Sequence, residues 1–280
     1  MKSGKFIHAV WVSLYALVFF SGSRAAFSAA PITPRETVVL FNGKDLSRFT
    51  TWETVHGRED PDRVFSVVDQ IDGAPAIRLS GQHWGGIVTK ERFTNYRLIV
   101  EFRWGAVTWA PRRNGARDSG ILLHCQGEDG NVNATFTSPW MRSIEAQIIE
   151  GGTGDILVLG GFERGQSELL RPTLKATVTG KSWDPNGELK LYSRGRIDWQ
   201  HRDPQWKDVL GFRGAKDVEK PAGRWNRYEV IADGGNLVYL LNGVKVNEAK
   251  EGSLTEGRIL FQSEGAEIYF RRIELNPLKK

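Results

Sequence analysis

A single cysteine, Cys125, in 280 residues excludes an intramolecular disulfide, so the fold must be held by its own core. No cysteine lies beside the N-terminal segment, which closes the lipid-anchored lipoprotein route. Long apolar runs are also scarce. The one candidate, Phe6–Phe20, is roughly fifteen residues long, short for a membrane span, and His8 and Ser13 interrupt it. Lys2 and Lys5 precede it and small residues follow from Ser21 to Ala30. That layout predicts a secretory signal over residues 1–30, cut within Arg24–Ala30. The expectation is an exported protein, periplasmic or extracellular, with no membrane association once the signal is removed. Losing Lys2, Lys5 and Arg24 lowers the formal net charge from +5 to +2. The remaining charges are interspersed, so no basic face for nucleic acid is expected. There is no Gly-x-Ser-x-Gly nucleophile elbow. The five histidines show no close metal-ligand spacing. Gly151–Gly154 precedes a strand pattern, so no helix N-terminus is available for phosphate.

What the chain does have is two-residue alternation. Tyr96–Trp104 places Tyr96, Leu98, Val100, Phe102 and Trp104 on one face, with Arg97, Ile99, Glu101 and Arg103 on the other. Ser119–His124 and Ser143–Ile149 read as further strands. Asp233-Gly234-Gly235-Asn236 and Asn242-Gly243 are hairpin signals, the second calling for a type I′ turn. Arg258–Gln262 and Glu267–Leu275 are expected to pair with each other. Few windows hold helical periodicity for more than two turns. The predicted fold is all-β: a two-sheet antiparallel jelly-roll sandwich of the concanavalin A-like type. Residues 31–280 are read as one domain with a long loop excursion over 180–221, the stretch poorest in strand patterns. Trp104 and Trp225 are expected in the core. Cys125 is expected to be a buried small hydrophobe.

The strands also carry polar residues at shared-face positions. In Ser143–Ile149, Ile144, Ala146 and Ile148 suit a core, while Ser143, Glu145 and Gln147 face the other way. His124 alternates with Gly120 and Leu122. Glu101 and Arg103 oppose their strand's apolar set, and Arg271 or Arg272 projects from the last strand. Were these strands neighbours, they would line a groove capable of acid–base work. A salt-bridged solvated face is the plainer reading of Glu101, Arg103 and Arg271. His124 could join Glu145 or Gln147 across strands as a ligand for a divalent metal, although no cofactor is required by the pattern. Trp140, in a loop, suits stacking on a sugar or fixing the loop. Jelly-roll β-glucanases carry Glu-x-Asp-x-Glu, whereas this chain has Glu145-x-Gln147-x-x-Glu150. Glu150 would need a bulge to join Glu145's face, and Gln147 lacks the charge that a retaining mechanism uses.

Six motifs in order resemble one family. They are Leu40-Phe41-Asn42-Gly43-Lys44-Asp45-Leu46, Ser119-Gly120-Ile121, Glu145-Ala146-Gln147-Ile148-Ile149-Glu150, Gly223-Arg224-Trp225-Asn226, Leu241-Asn242-Gly243 and Phe270-Arg271-Arg272-Ile273. Together they are similar to the 3-keto-disaccharide hydrolases. The resemblance implies a concanavalin-like jelly roll acting on glycosides oxidised at C3, by C2 proton abstraction, elimination and hydration. It implies Glu145 as base or metal ligand, His124 as acid or metal ligand, and Gln147 orienting the sugar. Arg103 and Arg271 would polarise the ketone. Apart from the resemblance, Glu101, Glu150 and Trp140 are candidates for binding substrate. The chain departs from many members at Arg271-Arg272-Ile273, where they have Arg-Asn-Ile. It departs again at Ser263-Glu264-Gly265, where they place a histidine. A non-catalytic carbohydrate-binding sandwich and an ordinary jelly-roll glycosidase are the other two readings.

Overall fold

The computed structural model describes residues 30–131, 138–163 and 166–279. The expected signal segment, up to residue 29, lies outside them. The alternating strands build two antiparallel sheets whose apolar faces meet. The front sheet runs β13 (Gly195–Ile197), β9 (Ile156–Leu159), β8 (Arg142–Ile149), β7 (Asp118–Gln126), β17 (Arg258–Ser263), β5 (Gly85–Thr89) and β2 (Phe49–Glu53). The back sheet runs β16 (Val244–Ala249), β15 (Asn236–Leu241), β14 (Asn226–Asp233), β6 (Tyr96–Thr108), β18 (Ala266–Pro277), β4 (Ala74–Leu79) and β3 (Phe65–Ile71). The short β1 (Val38–Val39) also pairs with β18. Ile121, Leu123, Ile144, Ala146 and Ile148 from the front meet Leu98, Val100, Phe102 and Trp104 from the back. This is the expected all-β jelly roll.

Both hairpin signals form. Asp233 pairs with Asn236 across Gly234-Gly235. Asn242 and Gly243 both take positive φ, 52° and 86°, as a type I′ turn requires. The final pair differs from expectation: β17 belongs to the front sheet and β18 to the back, so Ser263–Ala266 carries the chain across the sandwich. The excursion also holds more strand than its composition promised. Within it, β11 (Ser182–Trp183) and β12 (Glu188–Tyr192) flank β10 (Leu174–Thr179) in a small third sheet, and β13 edges the front sheet. Among the described residues, no helix is long and apolar enough to cross a membrane.

Candidate functional site

The outer face of the front sheet is floored by three cross-strand rows. Leu122 pairs with Glu145 and with Leu260, and Glu145 pairs in turn with Leu157, which faces Arg196. One step along, Gln147 pairs with Gly120, and Gln262 and Gly86 continue the row to Trp52. The third row brings Asp118 beside Glu264. Alternation thus puts three carboxylates and two carboxamides on one face, because each belongs to the set opposite its strand's core residues.

Gly120 is glycine because Glu145 occupies its space. A Cβ there would sit 2.1 Å from Glu145 Oε1 and 3.0 Å from Gln262 Oε1. Glu145 is only 2 % exposed, and its Oε1 has no hydrogen-bond partner among the described residues. Gln147 Nε2 donates to Asp118 Oδ1 at 2.9 Å, which leaves Gln147 Oε1 unpaired; Gln262 Oε1 is unpaired as well. Three buried acceptors on this face therefore have no donor among the described residues, and each is costly while unpaired.

Burial sets the electrostatics. Loss of water, reinforced by the nearby Asp118 charge and opposed by Arg196, raises Glu145 to about 8. Asp118 is pushed up to about 7 by burial, against Arg112, whose guanidinium lies 3.3 Å away. Glu264 is raised well above the usual carboxylate range, first by burial and then by the charges of Asp118 and Glu145. Glu145 and Asp118 thus hold and release protons near neutrality.

One shoulder of the groove is a cavity of about 400 Å³ lined by residues including Trp84, Arg112, Asn114 and Asp208. Arg112 links it to the floor, reaching Asp118 on one side and Asp208 at 3.0 Å on the other. Trp84 stacks on Trp140, centroids 6.2 Å apart, and both are half-buried. Of the residues singled out in the sequence, Glu145, Gln147 and Trp140 lie at this groove.

The others do not. His124 has positive φ (54°), and the β7 register slips between Leu123 and Gln126. That bulge reverses the alternation and turns the imidazole inward. It packs edge-on against Tyr96 in the core, with Nδ1 3.0 Å from the Leu254 carbonyl, and burial lowers its pKa to about 4. Glu145 and His124 thus point to opposite faces, so this pair cannot share a metal ion. Cys125 takes the outward position and is buried against Leu122 and Met141. Glu101, Arg103 and Arg271 lie on the outer face of the back sheet. Arg271 bonds Glu101 at 2.7 Å, Arg103 bonds Asp72 at 2.5 Å, and both guanidiniums lie over Trp225. They form the solvated salt-bridged face, and Trp225 sits among them outside the core. Glu150 anchors the excursion: its carboxylate accepts from Arg117 Nη1 and the Gly211 N–H, both at 2.7 Å.

Asp118, Gln262 and Glu264 were absent from the sequence candidates. The first two were within reach of the argument, since Asp118 alternates with Gly120 and Gln262 with Leu260. Trp84, Arg112 and Arg196 sit in loops or a three-residue edge strand, where no periodicity marks them.

Residues 36–276 match the family described as a 3-keto-alpha-glucoside-1,2-lyase-like domain. No curated protein matches the chain. Among solved structures, it is similar to a provisionally assigned glycosyl hydrolase from Parabacteroides distasonis, at 18% identity and TM-score 0.47, covering 87% of this chain and 94% of that one. A Bacillus subtilis protein of unknown function with a galectin-like fold is 11% identical, TM-score 0.45, covering 88% and 97%. The β-glucanase of Bacillus licheniformis is 11% identical, TM-score 0.41, covering 88% and 99%. The chain belongs to the 3-keto-alpha-glucoside-1,2-lyase-like family, which marks it as carbohydrate-active.

Proposed function

We propose that this member of the family cleaves glycosides carrying a ketone at C3 of the sugar, releasing the C1 substituent. The observation that carries the reading is Glu145: a buried carboxyl on the groove floor, raised to about 8, beside unpaired amide oxygens. A C3 ketone acidifies the C2 proton. A carboxylate whose proton affinity is matched to neutral pH is suited to remove it. In the proposed cycle Glu145 takes the C2 proton, electrons move into the C1–C2 bond, and the C1–O bond breaks. A protonated carboxyl supplies the leaving oxygen's proton; Glu264, held well above the usual range, has that role. Water then adds at C1, giving up a proton to the Glu264 carboxylate, and Glu145 returns its proton to C2, giving net hydrolysis with both carboxyls restored.

Gln147 and Gln262 accept hydrogen bonds from sugar hydroxyls, satisfying their open oxygens. Arg112 and Arg196, in place of Arg103 and Arg271, supply positive charge for the developing enolate. Trp84 and Trp140 offer aromatic surface beside the cavity, whose volume suits a sugar ring. The basic start and apolar run of residues 1–30 support export as the setting; N-terminal sequencing of the mature protein tests it.

The direct test offers the protein a 3-keto-glucoside and its unoxidised parent. Aglycone release from the keto form alone is expected. Cleavage of the parent would indicate an ordinary glycosidase, and binding without turnover of either a carbohydrate-binding protein.

A further inference from the structure

Apart from the groove floor, two histidines and an aspartate meet where the β2–β3 loop approaches the β4–β5 loop. His83 Nε2 lies 2.7 Å from Asp62 Oδ2, and His56 Nδ1 lies 4.0 Å from the same oxygen. The ligating atoms of His56, Asp62 and His83 all fall within 4.8 Å of one another, the one such grouping of three among the described residues. Sequence spacing concealed it, because the loops come together only through the strand pairing.

The surroundings hold these side chains in place. Glu53 is fully buried, accepts from the His56 backbone N–H at 2.6 Å, and faces His56 Nδ1 at 2.7 Å. A carboxylate behind one ring nitrogen fixes an imidazole's tautomer and orientation, the usual support of a metal-bound histidine. Asp60 secures the far side of the loop, accepting from the N–H groups of Val64 and Phe65 at 2.7 and 2.9 Å. His83 is tied to the groove side, its carbonyl accepting from Ser263 Oγ at 2.9 Å.

We propose that His56, Asp62 and His83 bind a divalent ion of the zinc class, with Glu53 orienting His56. Two imidazoles and one carboxylate suit borderline ions such as Zn²⁺ better than Mg²⁺ or Ca²⁺, which favour all-oxygen sets. Zinc bonds of about 2.0 Å in tetrahedral geometry separate ligand atoms by about 3.3 Å. With Nδ1 held by Glu53, Nε2 is the nitrogen His56 has left to ligate, and side-chain rotations of His56, Asp62 and His83 bring the donors to that spacing. Three protein ligands leave one position for water. The ion ties the β2–β3 loop to the segment that carries Trp84, which follows His83 directly, and so braces the aromatic shoulder of the groove.

The test uses full-length mature protein without a polyhistidine tag, stripped with chelator. It is titrated with Zn²⁺ by calorimetry and with Co²⁺ by visible absorption. Expected are one equivalent bound and the bands of tetrahedral Co²⁺, with His56→Ala and His83→Ala each weakening binding at least tenfold. Asp62→Asn, which leaves the loop's own hydrogen bonds intact, is expected to weaken binding while the metal-free melting temperature stays near wild type. Absence of saturable binding would overturn the proposal. So would one-equivalent binding at unchanged affinity in the His56→Ala/His83→Ala double variant.

Discussion

Glu145 and Gly120 act as one unit at the residue scale. The carboxylate lies where a side chain at position 120 would be, 2.1 Å from the site of a Cβ. Gly120→Ala therefore displaces Glu145 without touching the core face of β7. Turnover of a 3-keto-glucoside is expected to fall at least about tenfold, in line with the sensitivity of positioned acid–base groups. The melting temperature should change little by comparison. Burial of Glu145 also has a thermodynamic consequence. A carboxyl that keeps its proton to about 8 when folded, but loses it near its ordinary value when unfolded, binds more protons in the native state between those limits. Its contribution to stability is full below the unfolded value and is lost as pH rises through 8. Asp118, at about 7, and Glu219, raised to about 8 by burial, act in the same direction. His124, lowered to about 4, acts oppositely, but only below about 6.5, the ordinary histidine value. Melting temperatures taken from pH 6.5 to 9 should fall, and Glu145→Gln should flatten the slope. A flat wild-type profile would contradict the assigned burial.

At the scale of elements, a two-residue period tells which side chains share a face, but not which strands are neighbours. Ser143–Ile149 was legible because Ile144, Ala146 and Ile148 form the core set on local grounds alone, leaving Glu145 and Gln147 outward. Glu101, Arg103 and Arg271 were read correctly as a shared face, yet that face belongs to the other sheet, since pairing is settled by contacts far apart in sequence. The crossing at Ser263–Ala266 hid the same way: it resembles a hairpin until its strands are placed in different sheets. His124 escaped for a different reason. One inserted residue reverses every later position in a strand, and nothing in Leu122-Leu123-His124-Cys125 announces the bulge. The imidazole is consequently a packing element. His124→Asn, which tolerates the positive φ, should keep keto-glycoside turnover within about threefold of wild type while lowering the melting temperature, as loss of buried ring volume does. A selective collapse of turnover with unchanged melting would return His124 to the chemistry.

Considered as a whole molecule, the two outer faces of the sandwich differ in how their polar groups are paired. The back sheet exposes ion pairs that cancel one another: Glu101 with Arg271 and Asp72 with Arg103. The front sheet buries polar acceptors that have no donor among the described residues, which in the proposed reading the hydroxyls of a sugar satisfy. The 180–221 excursion completes that face, anchored through Glu150 and bringing Asp208 against Arg112 at the cavity. In the proposed reading a proton is removed at C2 rather than C1 being attacked, since β8 offers one outward carboxyl, Glu145, beside the amide of Gln147, where a glucanase strand has a second charge. The most direct measurement compares cleavage of a 3-keto-glucoside with that of the same compound deuterated at C2. The account predicts slower aglycone release from the deuterated substrate by the wild-type protein, and release by Glu145→Gln reduced by about 10²-fold or more. Equal rates for the two substrates, together with full turnover by Glu145→Gln, would contradict it.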